Sequence, residues 1–124
     1  MRLVGPLVTV LALAGCGHPV QKKLEGTWRG EGVENFDDRD IPRVTGWAKS
    51  LRFSFDGSRM SVAIAAEEQR TGNYRVKAVH NADVVLAVAG PDGKEDITRL
   101  KLDDEHSMRW MVGSSRAIVL RREL

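Results

Sequence analysis

Residues 50–65 read SLRFSFDGSRMSVAIA, and this stretch decides the fold class. Apolar side chains from Leu51 to Phe55 alternate with polar ones, and the alternation resumes after the pair Asp56-Gly57. Alternation places every second side chain on the same face of a strand, and an Asp-Gly pair supplies the left-handed backbone that a tight turn needs. The stretch therefore predicts a β-hairpin with one apolar face.

Six further runs read as strands, and almost no helical periodicity appears after residue 24. The runs are GTWRGEGVE (26–34), TGNYRVKAV (71–79), DVVLAVA (83–89), DITRLKL (96–102), HSMRWMV (106–112) and RAIVLRR (116–122). Mostly short turns join them, so strands that follow one another in sequence should pair in space. Closing eight such strands leaves no unpaired edge. We expect an all-β fold, an antiparallel up-and-down eight-stranded barrel; a two-sheet β-sandwich is the alternative.

The first sixteen residues have the pattern of an export signal. Arg2 precedes an apolar run from Leu3 to Ala14, which as a helix reaches only about 18 Å of the roughly 30 Å hydrocarbon core of a bilayer. A positive start, a short apolar run and small residues at its end are typical of a secretory signal peptide. The run ends in Leu13-Ala14-Gly15-Cys16, which resembles the lipobox of bacterial lipoproteins.

The lipobox resemblance implies cleavage before Cys16 and a diacylglycerol on its sulfur, with a further fatty acid such as palmitate on the new N-terminus. Cys16 is the only cysteine of the chain, so it has no disulfide partner within it. Residues 1–15 are then a cleaved signal peptide, residues 16–23 a lipidated cysteine with a polar tether, and residues 24–124 the barrel domain. Gly17 stands where an aspartate would retain lipoproteins of enteric bacteria at the inner membrane. The resemblance thus implies a lipid-anchored protein of the cell envelope, on the outer membrane and facing the periplasm.

Charge and motifs argue against several function classes. The chain has 19 basic and 17 acidic residues and no basic stripe with interleaved aromatic residues, so we expect no nucleic-acid partner. The histidines His18, His80 and His106 stand apart, without a second ligand or base at a fixed spacing. We therefore expect no enzyme, no bound metal and no cofactor.

Four motifs in order resemble the small lipocalin-like domains of bacterial lipoproteins. They are LEGTWRG (24–30), LRFSFDG (51–57), TGNYRV (71–76) and IVLRR (118–122). The resemblance covers residues 24–122 and implies a lipocalin-like (calycin) barrel. It also implies that Trp28 closes one end of the barrel and that an arginine of the last strand packs on its indole. Arg121 and Arg122 both qualify, because strand phase is lost at a chain end.

The predicted interior is bulky and mostly apolar. A barrel of eight strands is just wide enough to be filled by side chains or to hold one small ligand. If a cavity exists, we expect it at the end away from Trp28, and we expect a small apolar ligand because almost nothing charged faces inward. The candidate ligand-binding residues within the strands are Phe53, Phe55, Tyr74, Met108 and Trp110, and Lys49 is a further candidate near the mouth.

The connection NFDDRDIPRVTG (35–46) lacks periodicity and is expected to be a long loop, as over the open end of lipocalins. Phe36, Ile41 and Trp47 are apolar residues in or beside it, so we expect them at the rim of a pocket or in a docking patch. The alternative is a small core beneath the loop. This segment contains three aspartates, but it lacks the glycine and the closing glutamate of a calcium-binding loop. We therefore expect the aspartates to pair with the neighbouring arginines and to bind no metal.

These observations lead to two hypotheses about function. In the first, a lipid-anchored lipocalin-like barrel binds a small hydrophobic ligand. In the second, the barrel is filled and serves as a protein-interaction module, either inhibitor-like or as an accessory of an envelope complex. The expected partners are the membrane, through the anchor at Cys16, and either the ligand or an envelope protein.

Overall fold

Eight antiparallel strands close into a single barrel in which each strand pairs with its neighbours in sequence. The computed structural model describes residues 18–64 and 69–123. The strands are β1 (Gly26–Glu34), β2 (Leu51–Asp56), β3 (Arg59–Ile64), β4 (Arg70–His80), β5 (Asp83–Ala89), β6 (Glu95–Leu102), β7 (Ser107–Met111) and β8 (Ala117–Arg122). The prediction of an up-and-down, lipocalin-like barrel is confirmed, and the sandwich alternative is wrong.

The hairpin of β2 and β3 forms in the predicted register. Phe53 pairs with Val62, and Phe55 pairs with Met60. Gly57 adopts a positive φ of 61° in the turn, a conformation that glycine enters without steric cost. Its N–H donates to the Glu25 carboxylate at 2.9 Å. The turn therefore lies at the end of the barrel where β1 begins.

Pairing between the first and the last strand closes the barrel. Trp28 lies opposite Arg122, and Glu34 lies opposite Ala117. The register shifts between Gly30 and Gly32, so β1 carries one residue more than β8 at this point. Such a bulge bends the strand and increases its twist, which helps the sheet to close.

A short helix, α1 (Val20–Leu24), lies beneath one end of the barrel. Val20 and Leu24 are buried in the core, because their spacing of four residues puts both on the same face of the helix. The sequence predicts a tether over residues 16–23 and a domain that begins at Leu24. In the structure the fold already begins at Val20, and Cys16 lies outside the described residues.

A second helix, α2 (Ile41–Lys49), occupies the connection between β1 and β2. The expectation of a loop over residues 35–46 is wrong for its second half. Pro42 stands in the first turn of the helix, where its missing N–H costs nothing. Ala48 is buried against Gly30 of β1, where a methyl group on the glycine would overlap the Ala48 carbonyl. Contact with the barrel thus stabilises a helix that its own sequence favours only weakly.

Buried side chains fill the end of the barrel that α1 covers, and on the side beside α2 they continue to the opposite end. The core comprises Val20, Leu24, Trp28, Ala48, Leu51, Phe53, Phe55, Met60, Tyr74, Val84, Leu86, Leu100, Met108, Ile118 and Leu120. The end that α1 covers is called the closed end below, and the end beside α2 is called the open end. Neither helix in the described part of the chain has the length and apolarity needed to cross a bilayer.

Candidate functional site

A cavity of about 560 Å³ lies at the open end, on the side of the barrel formed by β3 to β6. Its walls are mostly apolar. The lining residues are Phe53, Met60, Val62, Ile64, Arg70, Thr71, Gly72, Val88, Ala89, Gly90, Pro91, Asp96, Ile97, Thr98 and Trp110. The volume falls within the 300–1,000 Å³ that ligand pockets usually have.

Aromatic rings separate the cavity from the filled part of the barrel. The ring centroids of Phe53 and Trp110 lie 5.3 Å apart, and the Phe55 ring packs edge-on to Phe53 at 6.3 Å. Phe55 in turn meets the ring of Tyr74 at 5.5 Å. Phe53 and Trp110 line the cavity, whereas Phe55 and Tyr74 do not. The cavity therefore occupies only the β3–β6 side of the open end, while buried side chains fill the closed end and the side beside α2.

The helix α2 packs on β1, and none of its residues lines the cavity. Trp47 of the helix lies 6.2 Å from Trp110, centroid to centroid. At the start of the connection, the Asn35 side-chain amide donates to the Ser115 carbonyl at 2.8 Å, and the Arg116 guanidinium lies 5.4 Å from the centroid of the Phe36 ring. These contacts join the connection to the turn between β7 and β8, leaving the cavity mouth on the far side.

Two charged residues stand at the mouth in positions that share the inward phase of their strands. Arg70 is in phase with Gly72 and Tyr74 on β4, and Asp96 is in phase with Thr98 on β6. Both line the cavity and both are exposed. The expectation that almost nothing charged faces inward therefore holds for the buried interior but not for the rim.

Tyr74 is buried below the cavity, and its hydroxyl has no hydrogen-bond partner among the described residues. Burial raises the pKa of this phenol to about 12, and the nearby negative charge of Glu25 contributes to the rise. Tyr74 is therefore part of the filled core and not of the cavity wall.

Trp28 and Arg122 form a clamp at the closed end. The guanidinium carbon of Arg122 lies 4.2 Å from the centroid of the Trp28 ring. Its nitrogens donate to the carbonyls of Glu105 at 2.8 Å, of Lys23 at 2.6 Å, and of Glu25. The indole N–H of Trp28 donates to the Leu24 carbonyl at 2.8 Å. The clamp thus fixes α1 to β1 and β8 at the closed end of the barrel.

Arg121 points out of the barrel and donates to Glu31 at 2.7 Å. The choice between the two arginines, which the sequence left open, is thus made by strand phase. Ile118, Leu120 and Arg122 share the inner face of β8, while Val119 and Arg121 share its outer face.

Lys49 does not lie at the cavity. It lines a second groove, of about 460 Å³, together with Arg29, Gly30, Glu31, Arg121, Arg122 and Glu123. Arg29 pairs with Glu123 at 3.7 Å, and Arg121 pairs with Glu31 as described above, but four basic side chains face only two acidic ones, so the groove keeps a net positive charge. No apolar side chain lines this groove, which makes it a poor site for a hydrophobic ligand.

The other predicted residues divide by their height in the barrel. Phe53 and Trp110 line the cavity. Trp47 does not line it but packs against Trp110. Met108 is fully buried in the core, as are Phe55 and Tyr74. Phe36 is partly buried against the core, and Ile41 of α2 is 37% exposed.

Several cavity residues are not among the candidates predicted from the sequence, including Val88, Arg70, Asp96 and Thr98. Val88 belongs to a run that is apolar on both faces, where alternation gives no phase. For Arg70 and Asp96, extending the alternation of their strands by one or two residues would have revealed the inward phase.

The aspartates of the connection form ion pairs with neighbouring arginines. Asp37 pairs with Arg39 at 3.3 Å, and Asp40 pairs with Arg43 at 3.0 Å. Within residues 18–64 and 69–123, no group of three or more potential ligands is arranged to hold a metal ion.

Comparisons with protein-family models, with curated proteins and with solved structures find no match to this chain.

Proposed function

We propose that this protein is a lipid-anchored envelope lipoprotein whose lipocalin-like barrel binds a small hydrophobic ligand at its open end. The cavity of about 560 Å³ beside Phe53 and Trp110 carries the proposal. A barrel built only as a scaffold would gain stability from filling this space, since unfilled apolar volume lowers the free energy of unfolding.

The lining supports an apolar ligand with a polar end. Met60, Val62, Ile64 and Val88 surround the space with aliphatic side chains, and each CH₂ that a ligand buries there contributes about 0.8 kcal/mol. Arg70 and Asp96 stand at the mouth, where a polar group of the ligand stays in contact with water.

The anchor is proposed from the sequence alone. The residues Leu13-Ala14-Gly15-Cys16 follow an apolar run of the right length, and two or more acyl chains hold a protein stably on a membrane. The same pattern supports a place in the cell envelope, on the outer membrane and facing the periplasm. We propose a binding function without catalysis, because no catalytic motif occurs in the sequence.

The ligand site can be tested with a dansyl-labelled fatty acid as the probe. Val88→Phe fills part of the cavity, and we expect it to weaken probe binding at least about tenfold, which corresponds to 1.4 kcal/mol. Val85→Phe is the matched control, because Val85 lies on the same strand but on its outer face, and it should leave binding unchanged. Equal affinities for wild type and Val88→Phe would contradict the proposal.

Native mass spectrometry of the full-length protein from membranes of its own host would then identify the natural ligand. We expect a non-covalent lipid-sized mass that Val88→Phe reduces. A stable protein partner without such a mass would favour the second candidate, a protein-interaction module. That candidate is supported by exposed apolar side chains near the open end, with Trp47 38% and Ile97 46% exposed.

A further inference from the structure

The chain enters the fold at a fixed point of the closed end. Val20 and Leu24 are buried there, and the carbonyls of Lys23 and Leu24 accept hydrogen bonds from Arg122 and Trp28. Helix α1 is thus held by packing and by hydrogen bonds to strands from both ends of the sequence. A segment held in this way cannot swing to the other end of the barrel without breaking the core.

Little chain separates this point from Cys16. Four residue steps lead from Cys16 to Val20, and at no more than 3.6 Å per step they span at most about 14 Å. A strand of nine residues such as β1 has eight such steps, which with a rise of about 3.3 Å each and a tilt of about 40° span about 20 Å along the barrel axis. Cys16 therefore cannot reach the level of the open end.

We propose that the closed end of the barrel is the membrane-contacting surface and that the cavity mouth faces away from the leaflet that holds the anchor. This inference rests on the proposed lipidation of Cys16. A tether over residues 16–23, as the sequence predicts, would leave the barrel free to turn relative to the membrane. With α1 folded against the barrel, only residues 16–19 remain between lipid and core.

Charge near the anchor agrees with contact to a lipid surface. Lys22 and Lys23 are exposed on α1 and form no ion pair with any residue of the described ranges. Acidic residues of the turn between β6 and β7 lie at the same end, although Asp103 is neutralised by Arg109 at 2.7 Å. The mixed signs indicate that the short anchor, more than lipid charge, determines the orientation.

The orientation restricts where the ligand comes from. A mouth that faces away from its own leaflet does not open onto the acyl chains of that leaflet. The ligand must then arrive through the aqueous phase or from a partner that reaches the exposed end of the barrel. The apolar side chains of Trp47 and Ile97 stand at that end.

Energy transfer to a membrane dye tests the orientation. Full-length Ser58→Cys and Ser114→Cys variants, purified from membranes of a bacterial host that processes lipoproteins, form a matched pair. Ser58 lies in the exposed turn between β2 and β3 at the closed end, and Ser114 lies in the exposed turn between β7 and β8 at the open end. In each lipidated variant only the new thiol takes a maleimide donor, because the Cys16 sulfur is already a thioether. The labelled proteins are placed in phosphatidylcholine vesicles with an acceptor on the headgroups.

We expect several-fold stronger transfer from the Ser58→Cys label than from the Ser114→Cys label. Equal transfer, or stronger transfer from Ser114→Cys, with the lipid present in the intact mass, overturns the orientation and leaves the proposed anchor standing. An intact mass without the lipid, with two labels on each chain and no retention on vesicles, refutes the anchor itself and the orientation with it.

Discussion

Replacing Arg122 by methionine removes a guanidinium that joins three parts of the closed end while keeping a side chain of similar length. The guanidinium packs 4.2 Å from the Trp28 ring and donates to backbone carbonyls of Lys23, Glu25 and Glu105. Methionine retains the apolar contact with the indole but has no donor. The three carbonyls must then find water at a partly buried site.

The expected loss follows from these contacts. A cation over an aromatic ring contributes about 0.5–2 kcal/mol depending on its desolvation. Each of three hydrogen bonds at a half-exposed position contributes on the order of 0.5–1 kcal/mol net. We therefore expect the free energy of unfolding to fall by about 3 kcal/mol. At roughly 4–8 °C per kcal/mol for a domain of this size, Tm falls by on the order of 12–24 °C.

Urea and thermal unfolding, followed by circular dichroism, measure this loss. Arg121→Met is the matched control, since Arg121 is the neighbouring residue and makes one exposed ion pair with Glu31, a kind of contact that contributes about 0–1 kcal/mol. Arg122→Lys keeps the charge but loses the planar fork, so it should recover less than half of the loss. Equal stabilities of the Arg121→Met and Arg122→Met variants would refute the reasoning.

Three other substitutions probe the core and the close contacts. Trp28→Ala should lower the free energy of unfolding by about 3–5 kcal/mol, and an unchanged urea midpoint would contradict its place in the core. Gly30→Ala should cost about 2–3 kcal/mol by displacing α2, whereas Gly32→Ala, with open space around its α-carbon, should change stability by less than about 1 kcal/mol. Tyr74 is the only tyrosine of the chain, so absorbance at 295 nm should show it ionising near pH 12 in the folded protein and near pH 10 in denaturant. Because the folded pKa is raised, stability is complete below pH 10 and falls by about 2–3 kcal/mol as pH rises to 12. Tyr74→Phe should abolish that fall and leave stability at pH 7 unchanged or up to about 1 kcal/mol higher; a fall of the same size in the variant would assign it to another group.

The strands could be predicted because each carries its own signal. Alternation from Leu51 to Ile64 around Asp56-Gly57 gave the hairpin, and the same reasoning gave the other runs. Closure was predictable only indirectly, from the instability of free sheet edges, because no local pattern reports that β1 and β8 pair.

Both helices were missed for a physical reason. Residues 41–49 include a proline, a threonine and a glycine, which lower intrinsic helix propensity, and the helix depends on the contact between Ala48 and Gly30. In α1 only Val20 and Leu24 lie on the buried face, and two apolar residues are too few to indicate a helical periodicity. Tertiary contacts therefore determined what the local sequence could not.

The cavity was the least predictable feature. It exists only if the inward side chains near the open end have less volume than the space that the strands enclose there. The size of that space depends on strand register, strand tilt and the placement of α2. Phe53 and Trp110 could be chosen as candidates from alternation, but Phe55, Tyr74 and Met108 share the same alternation and lie lower, in the filled part.

The seam between β1 and β8 has a consequence for the kinetics of folding. In the described barrel it is the one strand pairing between residues far apart in sequence, while the other seven pairings join consecutive strands. Local pairings cost less loop entropy and form early, and non-local ones form late. The contacts of Trp28 with Arg122 should therefore be absent from the folding transition state, with φ-values near zero. Substitutions at the seam would then leave the refolding rate nearly unchanged and raise the unfolding rate, so that the seam governs how long a folded molecule lasts.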